Sequence, residues 1–191
     1  MRIFSPAIIA LACAVLGGAA FAADESHAPK IDACALLKDG EVAGIVGAKV
    51  TPADRRDAGY QDDGTYVAPG TYSSTCLWRV ATSGPPPADP NLSLGGASYV
   101  ILNAMQWPPS SKLASKESCR FVKGFYDAAD RKLIDNQPVP LKIADQSLWW
   151  GDGVAVCKGD RSFGISVHLV GGRPKERDME ERLAKMIAGR M

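Results

Sequence analysis

Three short apolar runs between residues 143 and 170 form the clearest pattern of hydrophobic and polar positions in the chain. Turn-forming residues, mostly Gly and Asp, separate the runs at positions 151–153 and 158–161. Apolar runs of this length with such punctuation are typical of an antiparallel meander. In the last run every second residue is apolar: Phe163, Ile165, Val167 and Leu169. We therefore expect three strands, and expect one face of the last strand to be buried.

Alternating apolar positions predict two further strands upstream of the meander, at residues 76–81 and 97–106. Helical spacing after Ser110 or Ser111 predicts a helix of about 18 residues. A last helix is predicted to begin near Pro174. Its apolar stripe consists of Met179, Leu183, Met186 and Ile187.

Two short helices are predicted near the beginning of the domain. Asp32 and Asp39 are candidate N-caps, Glu41 is favourable in the first turn, and Gly47 is a plausible stop. The predicted order is helix, helix, strand, strand, helix, three strands and helix. This order predicts an α+β domain with helices packed on one face of an antiparallel sheet of about five strands.

The polar stretch 51–74 and the pair Trp149-Trp150 are the candidate binding elements. A connection of about 24 residues is long for a compact domain, so this stretch contains a short hairpin or is a functional loop. Adjacent strand residues point to opposite faces, so one Trp is expected in the core, and the other partly exposed or covered by the stretch. The predicted binding surface, where exposed rings would act as anchors, comprises Tyr60, Tyr66, Tyr72, Trp149 and Trp150. The alternative is that these rings seal the core.

The N-terminus has the pattern of a secretory signal peptide. Arg2 precedes an apolar stretch that ends in Ala20-Phe21-Ala22, which predicts residues 1–22 as a signal peptide cleaved after Ala22. An uncleaved anchor is the first alternative, but about 14 apolar residues are fewer than the roughly 20 that span a bilayer. A lipoprotein with lipid on Cys13 is the second, although Leu11 lies one place late for that signal.

Cleavage at that site would leave a flexible N-terminus at residues 23–30 and one domain at 31–191. A chain of this length can bury a core of its own. No second apolar stretch is long enough for a transmembrane segment. The predicted location is the bacterial periplasm or the exterior of the cell. The net charge of +1 favours neither nucleic acid nor an anionic membrane as a partner.

Four cysteines follow the predicted cleavage site: Cys34, Cys76, Cys119 and Cys157. An even number in an exported protein predicts two disulfides, and three pairings are possible. Four free buried thiols are the alternative. Their spacings contain no Cys-x-x-Cys pair, which disfavours zinc binding and thioredoxin-type redox chemistry.

Short motifs in three parts of the chain resemble a protein family. They are Asp32-Ala33-Cys34-Ala35-Leu36-Leu37 with Glu41-Val42 and Gly47, then Cys76-Leu77-Trp78, then Ile143 to Trp149 with Val154 to Asp160. The pattern resembles small exported proteins of unknown function, many of them actinobacterial lipoproteins. Their domain is similar to the extracellular sensor domain of a mycobacterial receptor kinase. Where that family has Gly-Asp-x-Ala, this chain has Ala144-Asp145-Gln146-Ser147. The resemblance implies a disulfide-pinned α+β module that binds something in the envelope, and no enzyme.

We predict the pairs Cys34–Cys76 and Cys119–Cys157. Each pairing would tie a helix to a strand, and the resemblance favours the first. Each would close a loop of about 40 residues, which stabilises the fold by roughly 4 kcal/mol.

The sequence gives no candidate catalytic residue, metal ligand or cofactor motif. A serine hydrolase would need a Gly-x-Ser-x-Gly turn and a histidine, but the turn is missing and the only histidines are His27 and His168. Asp62-Asp63 lacks the further oxygen ligands of a calcium loop. We therefore expect a non-enzymatic envelope binding module for a small apolar ligand or an envelope protein. The alternative is an inhibitor or immunity protein that blocks a secreted toxin or hydrolase.

Overall fold

The computed structural model describes residues 28–61, 69–81, 97–108, 114–170 and 173–191. The predicted signal peptide, His27, Asp62-Asp63 and Tyr66 lie outside them. The helices among these residues are α1 (Ala33–Leu36), α2 (Asp39–Val46), α3 (Ala114–Asp130) and α4 (Arg173–Ala188). The strands are β1 (Asp54–Gln61), β2 (Thr71–Arg79), β3 (Tyr99–Gln106), β4 (Val139–Leu141), β5 (Gln146–Trp149), β6 (Val154–Lys158) and β7 (Arg161–His168).

The strands form one antiparallel sheet in the order β1-β2-β3-β7-β6-β5-β4. The α+β class and the meander β5-β6-β7 are confirmed. The prediction of about five strands is wrong, because the sheet has seven. The additional strands are its two edges, β1 and β4. Six of the eight residues of β1 are exposed and four are charged, and β4 is three residues long with a central Pro140. Edge strands of this kind carry little apolar alternation, so a periodicity argument misses them.

The polar stretch 51–74 contains most of a hairpin. β1 pairs with β2 from Asp54 opposite Leu77 to Gln61 opposite Thr71, with a register shift between Asp57 and Gly59. Of the two possibilities that the length of the stretch left open, the hairpin is therefore the one observed.

Helices pack against both faces of the sheet, so the prediction that they share one face is wrong. Val154 and Val156 of β6 belong to the large core under α1, α2 and α4. Ala155 and Cys157, which alternate with them, pack with Cys119 and Val122 of α3 on the other face. The first four of the five residues of β6 are buried, as in a strand that is covered on both sides. We call these two sides the α4 face and the α3 face.

Both predicted disulfides are confirmed. Cys34–Cys76 joins α1 to β2, and Cys119–Cys157 joins α3 to β6. Cys76 lies on the same face as Val154, because Cys76, Leu102, Ile165 and Val154 are successive cross-strand partners. Cys157, three residues after Val154, lies on the other face. One covalent bond therefore anchors a helix on each face of the sheet.

The ends of the predicted helices are mostly as expected. The carboxylate of Asp32 accepts hydrogen bonds from the N–H groups of Cys34 and Ala35, and Gly47 ends α2 with a φ of 72°. Asp39, however, is not the cap of α2 but its first residue, with Lys38 at the N-cap position. The Asp39 carboxylate instead accepts a hydrogen bond from Trp78 Nε1 at 2.8 Å. This bond satisfies the polar atom of a fully buried Trp and fixes α2 against β2.

The last helix packs through its predicted stripe. Leu183 and Ile187 are fully buried, and Met179 and Met186 pack partly buried against the same core. No described helix combines the length and the apolar character that crossing a membrane requires.

A candidate ligand-binding cleft

The predicted binding residues Tyr60 and Tyr72 lie together at the β1 edge of the sheet. Their rings meet edge to face at 5.0 Å. Tyr72 is buried and its hydroxyl donates to the Asp57 carboxylate at 3.0 Å, whereas Tyr60 is 37% exposed. Arg55 also binds Asp57, and this contact is the main reason why the pKa of Asp57 falls to about 2.

Trp149 and Trp150 point to opposite faces, as strand alternation predicts. Trp149 lies on the α4 face, where its Nε1 donates to Glu180 at 2.9 Å and Arg177 lies over its ring. Trp150 lies on the α3 face and stacks on Phe125 with 4.6 Å between ring centroids. The helix α3 therefore packs against Trp150. Both tryptophans are half-buried, whereas the sequence predicted one of the two in the core and the other partly exposed or covered by the 51–74 stretch.

The structure does not bring the tyrosines and the tryptophans together. The three strands β3, β7 and β6 separate β1–β2 from β5, and the five strand spacings from β1 to β5 amount to about 24 Å. Tyr60 and Tyr72 thus belong to one edge of the sheet, and the two tryptophans lie near the other.

A cleft opens beside Trp150, on the side of the sheet that α3 covers. Its volume is about 260 Å³. It lies between the turn that follows α3 and the β5–β6 turn, and its lining residues are Leu133, Ile134, Asp135, Asn136, Trp150 and Asp152. Trp150 is the one lining residue that the sequence had singled out. We call this site the Trp150 cleft.

The end of α3 forms one wall of the cleft. The N–H of Leu133 donates to the carbonyl of Ala128, the N–H of Lys132 donates to Ala129, and Lys132 has a φ of 57°. These two bonds and the left-handed residue form a Schellman motif, which turns the chain sharply at the end of a helix. A residue in the place of Leu133 commonly packs back on the helix. Here Leu133 is instead 71% exposed, at the rim of the cleft.

The β5–β6 turn forms the opposite wall through Asp152, which two glycines flank. The N–H of Trp150 donates to the carbonyl of Gly153 at 3.0 Å, which closes the turn. A Cβ on Gly151 would lie 2.2 Å from the side-chain nitrogen of Asn136, and Gly151 has a φ of 108°. A Cβ on Gly153 would lie 2.5 Å from the Trp150 ring. The glycines therefore let Asn136 and Trp150 approach the turn closely.

The five lining residues other than Trp150 were missed because no sequence signal joins them. Residues 133–136 and Asp152 are distant in sequence and meet only through the packing of α3 on β6. The Gly151-Asp152-Gly153 turn was visible in the sequence, but a turn does not by itself indicate what it faces.

A pair of buried glutamates on α4 supports the sheet behind the cleft. β6 pairs with β7 only as far as Val154 opposite Ile165. Beyond this point Glu180 accepts from the N–H of Val167 at 3.0 Å, and Glu176 accepts from the N–H of Leu169 at 2.6 Å. Glu176 and Glu180 are four residues apart on a helix, and Val167 and Leu169 are two residues apart on an extended chain. Both separations are about 6–7 Å, so the two carboxylates are spaced like the two N–H donors. They satisfy strand N–H groups that β6 no longer reaches.

Burial raises the pKa of Glu180 to about 7, and the nearby charges of Glu176 and Asp152 act in the same direction. The hydrogen bonds from Val167 and Trp149 oppose this shift because they stabilise the carboxylate. Asp152 of the cleft therefore influences a carboxyl group on the α4 side of the sheet.

His168 lies on the α3 face and stacks on Tyr99, with 5.2 Å between ring centroids. The described residues contain no group of three or more His, Cys, Asp or Glu side chains that could hold a metal ion. Comparison of the chain with protein-family models, with curated proteins and with solved structures found no match.

Proposed function

We propose that this protein is an exported, non-enzymatic binding module of the cell envelope, and that its ligand occupies the Trp150 cleft. The observation that carries the proposal is the cleft itself, where an aromatic ring, two aliphatic side chains and three polar side chains converge. Small-ligand sites are concave and place a few polar groups that orient the ligand, and the surface that this cleft exposes is mainly polar. Three polar side chains favour a ligand with hydrogen-bonding groups, rather than the purely apolar ligand expected from the sequence.

Two structural features support a role in an oxidising compartment. Both disulfides join a helix to the sheet, and each fastens a different face. Disulfides of this kind persist in exported proteins and are rare in reducing compartments. Together with the signal-peptide pattern and the resemblance to exported envelope modules, they favour the periplasm.

Export is tested by mass spectrometry of the envelope fraction. We expect a mature chain that begins at or near Ala23 and carries no lipid. A chain that retains residues 1–22, or a lipid on Cys13, would contradict the proposed processing.

Binding is tested with the purified mature protein and an envelope extract. Extract components of low molecular mass are added, and amide NMR shifts are followed in residues 133–136 and 150–152. We expect shifts at these positions. If the cleft resonances do not move, and a pull-down from the whole extract captures a protein instead, the inhibitor or immunity alternative is favoured and the cleft proposal is wrong.

A further inference from the structure

We infer that the N-terminal half of α4 is a pH-sensitive latch, which two buried carboxyl groups hold on the end of β7 and which opens more readily as the pH rises from acidic to neutral values. The two groups belong to Glu176 and Glu180, and we call their contact with β7 the carboxyl latch. The inference goes beyond the proposed function, because it does not depend on a ligand in the Trp150 cleft. Three observations support it: the donors that the carboxyl groups bind, the different packing of the two halves of α4, and the charges around the pair.

The carboxyl latch lies where β7 continues beyond the end of its neighbour β6. The N–H groups of Val167 and Leu169 donate to Glu180 at 3.0 Å and to Glu176 at 2.6 Å. The second carboxyl oxygen of Glu180 accepts from Trp149 Nε1 at 2.9 Å. Opening the latch would therefore transfer two strand N–H groups and one indole N–H from the carboxyl groups to water.

The two halves of α4 are held in different ways. In the C-terminal half, Leu183 and Ile187 are fully buried, and Lys158 Nζ donates to the carbonyl of Ala188 at 2.8 Å. Among the described side chains of the N-terminal half, Met179 is the apolar one, and it is partly buried. The N-terminal half can therefore leave the sheet while the C-terminal half stays in the core, as expected for local opening that begins at the end of a helix.

No described cation neutralises the two carboxyl groups. Glu176 and Glu180 are 6% and 1% exposed, and no ion pair between described side chains includes either of them. Arg177, which lies between them in sequence, binds Glu181 at 3.0 Å and lies over the Trp149 ring instead. Two buried carboxyl groups one helical turn apart oppose each other's ionisation.

The sheet adds a negative charge to the surroundings of the latch. Burial raises the pKa of Glu180 to about 7, and the charges of Glu176 and of Asp152 on the β5–β6 turn act in the same direction. At this end of the α4 face, β6 and β7 contribute apolar side chains: Val154, Ile165 and Val167. Charged groups on α2 and on the β6–β7 hairpin contact the other end of α4, where Glu41 binds Arg190, and Lys158 and Arg161 bind the carbonyls of Ala188 and Met191.

Opening the latch would return Glu180 to water and to its ordinary pKa of 4.5. Between pH 4.5 and pH 7 the closed latch binds a proton that the open form releases. The closed form is therefore favoured fully below about pH 4.5 and loses this advantage as the pH rises through about 7. From these two pKa values, the equilibrium should shift towards the open form by about 70-fold between pH 5 and pH 8.

Amide hydrogen exchange of the purified protein tests the inference, after correction for the intrinsic pH dependence of exchange. Between pH 5 and pH 8 we expect opening to increase by about 70-fold at residues 178–180 and at Val167 and Leu169. At residues 186–188, in the C-terminal half of the same helix, we expect a change of less than about threefold.

Indole resonances provide a second readout. The Trp149 Nε1–H signal should move with a midpoint near pH 7, because this group donates to Glu180. The Trp107 Nε1–H group donates to the Ser162 hydroxyl, which does not titrate in this range, so its signal is the internal control.

Three substitutions on α4 test the assignment. Glu180→Gln cannot titrate, so the change in opening between pH 5 and pH 8 should fall below about threefold. Glu181→Gln alters a partly exposed carboxyl group one residue away and should retain the change of about 70-fold. Glu176→Gln removes one neighbouring charge but keeps Glu180, so the pH dependence should become smaller without disappearing. This third variant gives a test even if Glu180→Gln does not fold.

Each other result overturns the inference. An equal increase at residues 178–180 and 186–188 would show that α4 leaves the sheet as one unit. Opening that does not change with pH would show that the carboxyl groups do not control it. A change that persists in Glu180→Gln, or that is unaltered in Glu176→Gln, would assign the pH dependence to another group.

Discussion

Glu180 is a buried carboxyl group on α4 whose ionisation the fold opposes. Its side chain is 1% exposed, and its pKa rises from 4.5 to about 7, mainly because burial penalises the charged form. Between these two values the folded protein binds a proton that the unfolded chain releases. Stability therefore falls as the pH rises from about 4.5 to about 7, and Glu180 accounts for up to about 3 kcal/mol of this change.

The substitution Glu180→Gln should remove this pH dependence. A neutral amide cannot titrate, so the loss of stability between pH 5 and pH 8 should be smaller in the variant. The variant should also be less stable at pH 5 by about 1–3 kcal/mol, because one of the two N–H donors now faces an NH₂ group. Denaturant unfolding at several pH values measures both effects.

Glu181→Gln is the matched control on the same helix. Glu181 is a partly exposed partner of Arg177, and its replacement keeps Glu180, so the pH dependence should persist. Glu41 and Asp57 do not contribute to the change in stability between pH 5 and pH 8. Their pKa values are lowered to about 2, chiefly by bonds from Arg190 and Arg55. Their contribution is lost as the pH falls below about 4. An unaltered pH profile in Glu180→Gln would contradict the assigned role of Glu180.

Gly153→Ala should destabilise the protein and disturb the cleft. The new Cβ would lie 2.5 Å from the Trp150 ring and 2.5 Å from Ser166 Oγ, so the ring must leave its stacked position on Phe125. Overpacking of this kind typically costs about 1–3 kcal/mol. Denaturant unfolding measures the loss, and near-UV circular dichroism reports the displaced indole.

Gly124→Ala provides the contrast for that substitution. Gly124 lies within α3, and nothing would be within 4 Å of its Cβ. Alanine there should stabilise the protein by about 0.5–1 kcal/mol, because glycine weakens a helix interior. If Gly153→Ala and Gly124→Ala changed the free energy of unfolding in the same direction, contact with Trp150 would not explain the effect of Gly153→Ala.

At the scale of elements, α3 is the helix that depends most on its disulfide. It is the only described helix on its face of the sheet. Besides Cys119–Cys157 and the hydrogen bond that the Ser118 hydroxyl donates to the Gly159 carbonyl at 2.6 Å, it packs through a small cluster that includes Val122, Phe125 and Trp150. The helices on the α4 face share a much larger core and several long-range hydrogen bonds, such as that from Ala33 to Ser74.

Replacing Cys119 and Cys157 together with Ala should therefore loosen α3 selectively. The loop-entropy contribution is roughly 4 kcal/mol for either disulfide, because both loops contain about 40 residues. Amide hydrogen exchange should accelerate in residues 118–130 more than in β3 and β7. The double variant of Cys34 and Cys76 should leave exchange in α3 relatively slow. Equal acceleration throughout the molecule in both variants would show that the domain opens only as one unit.

Element types were predictable where periodicity was strong. The meander, the stripe of α4 and the helix α3 each have apolar positions that repeat with one clear period, and each forms as predicted. The strand β1 was left open because half of its residues are charged and most are exposed. Its conformation comes from pairing with β2, which is a long-range interaction that local propensity does not report.

At the scale of the whole molecule, helices on both faces of a seven-stranded sheet determine where a ligand could bind. The cleft exists because α3 crosses the α3 face and then ends in a sharp turn beside β5. Had all helices shared one face, Trp150 would have had no helix beside it and residues 133–136 would have had no turn to face.

The sequence by itself determined the α+β class, the meander, the helix stripe of α4 and the presence of residues suited to two disulfides. These properties follow from local periodicity, turn chemistry and cysteine count, which are written in short stretches of chain. Only the tertiary structure decided the face on which each helix lies, the two edge strands, the burial of Glu180 and the convergence of residues 133–136 with Trp150. The physical reason is that each of these depends on contacts between segments far apart in sequence. The strand β6, for example, is apolar on both sides, and such a pattern is equally compatible with helices on one face of the sheet or on both.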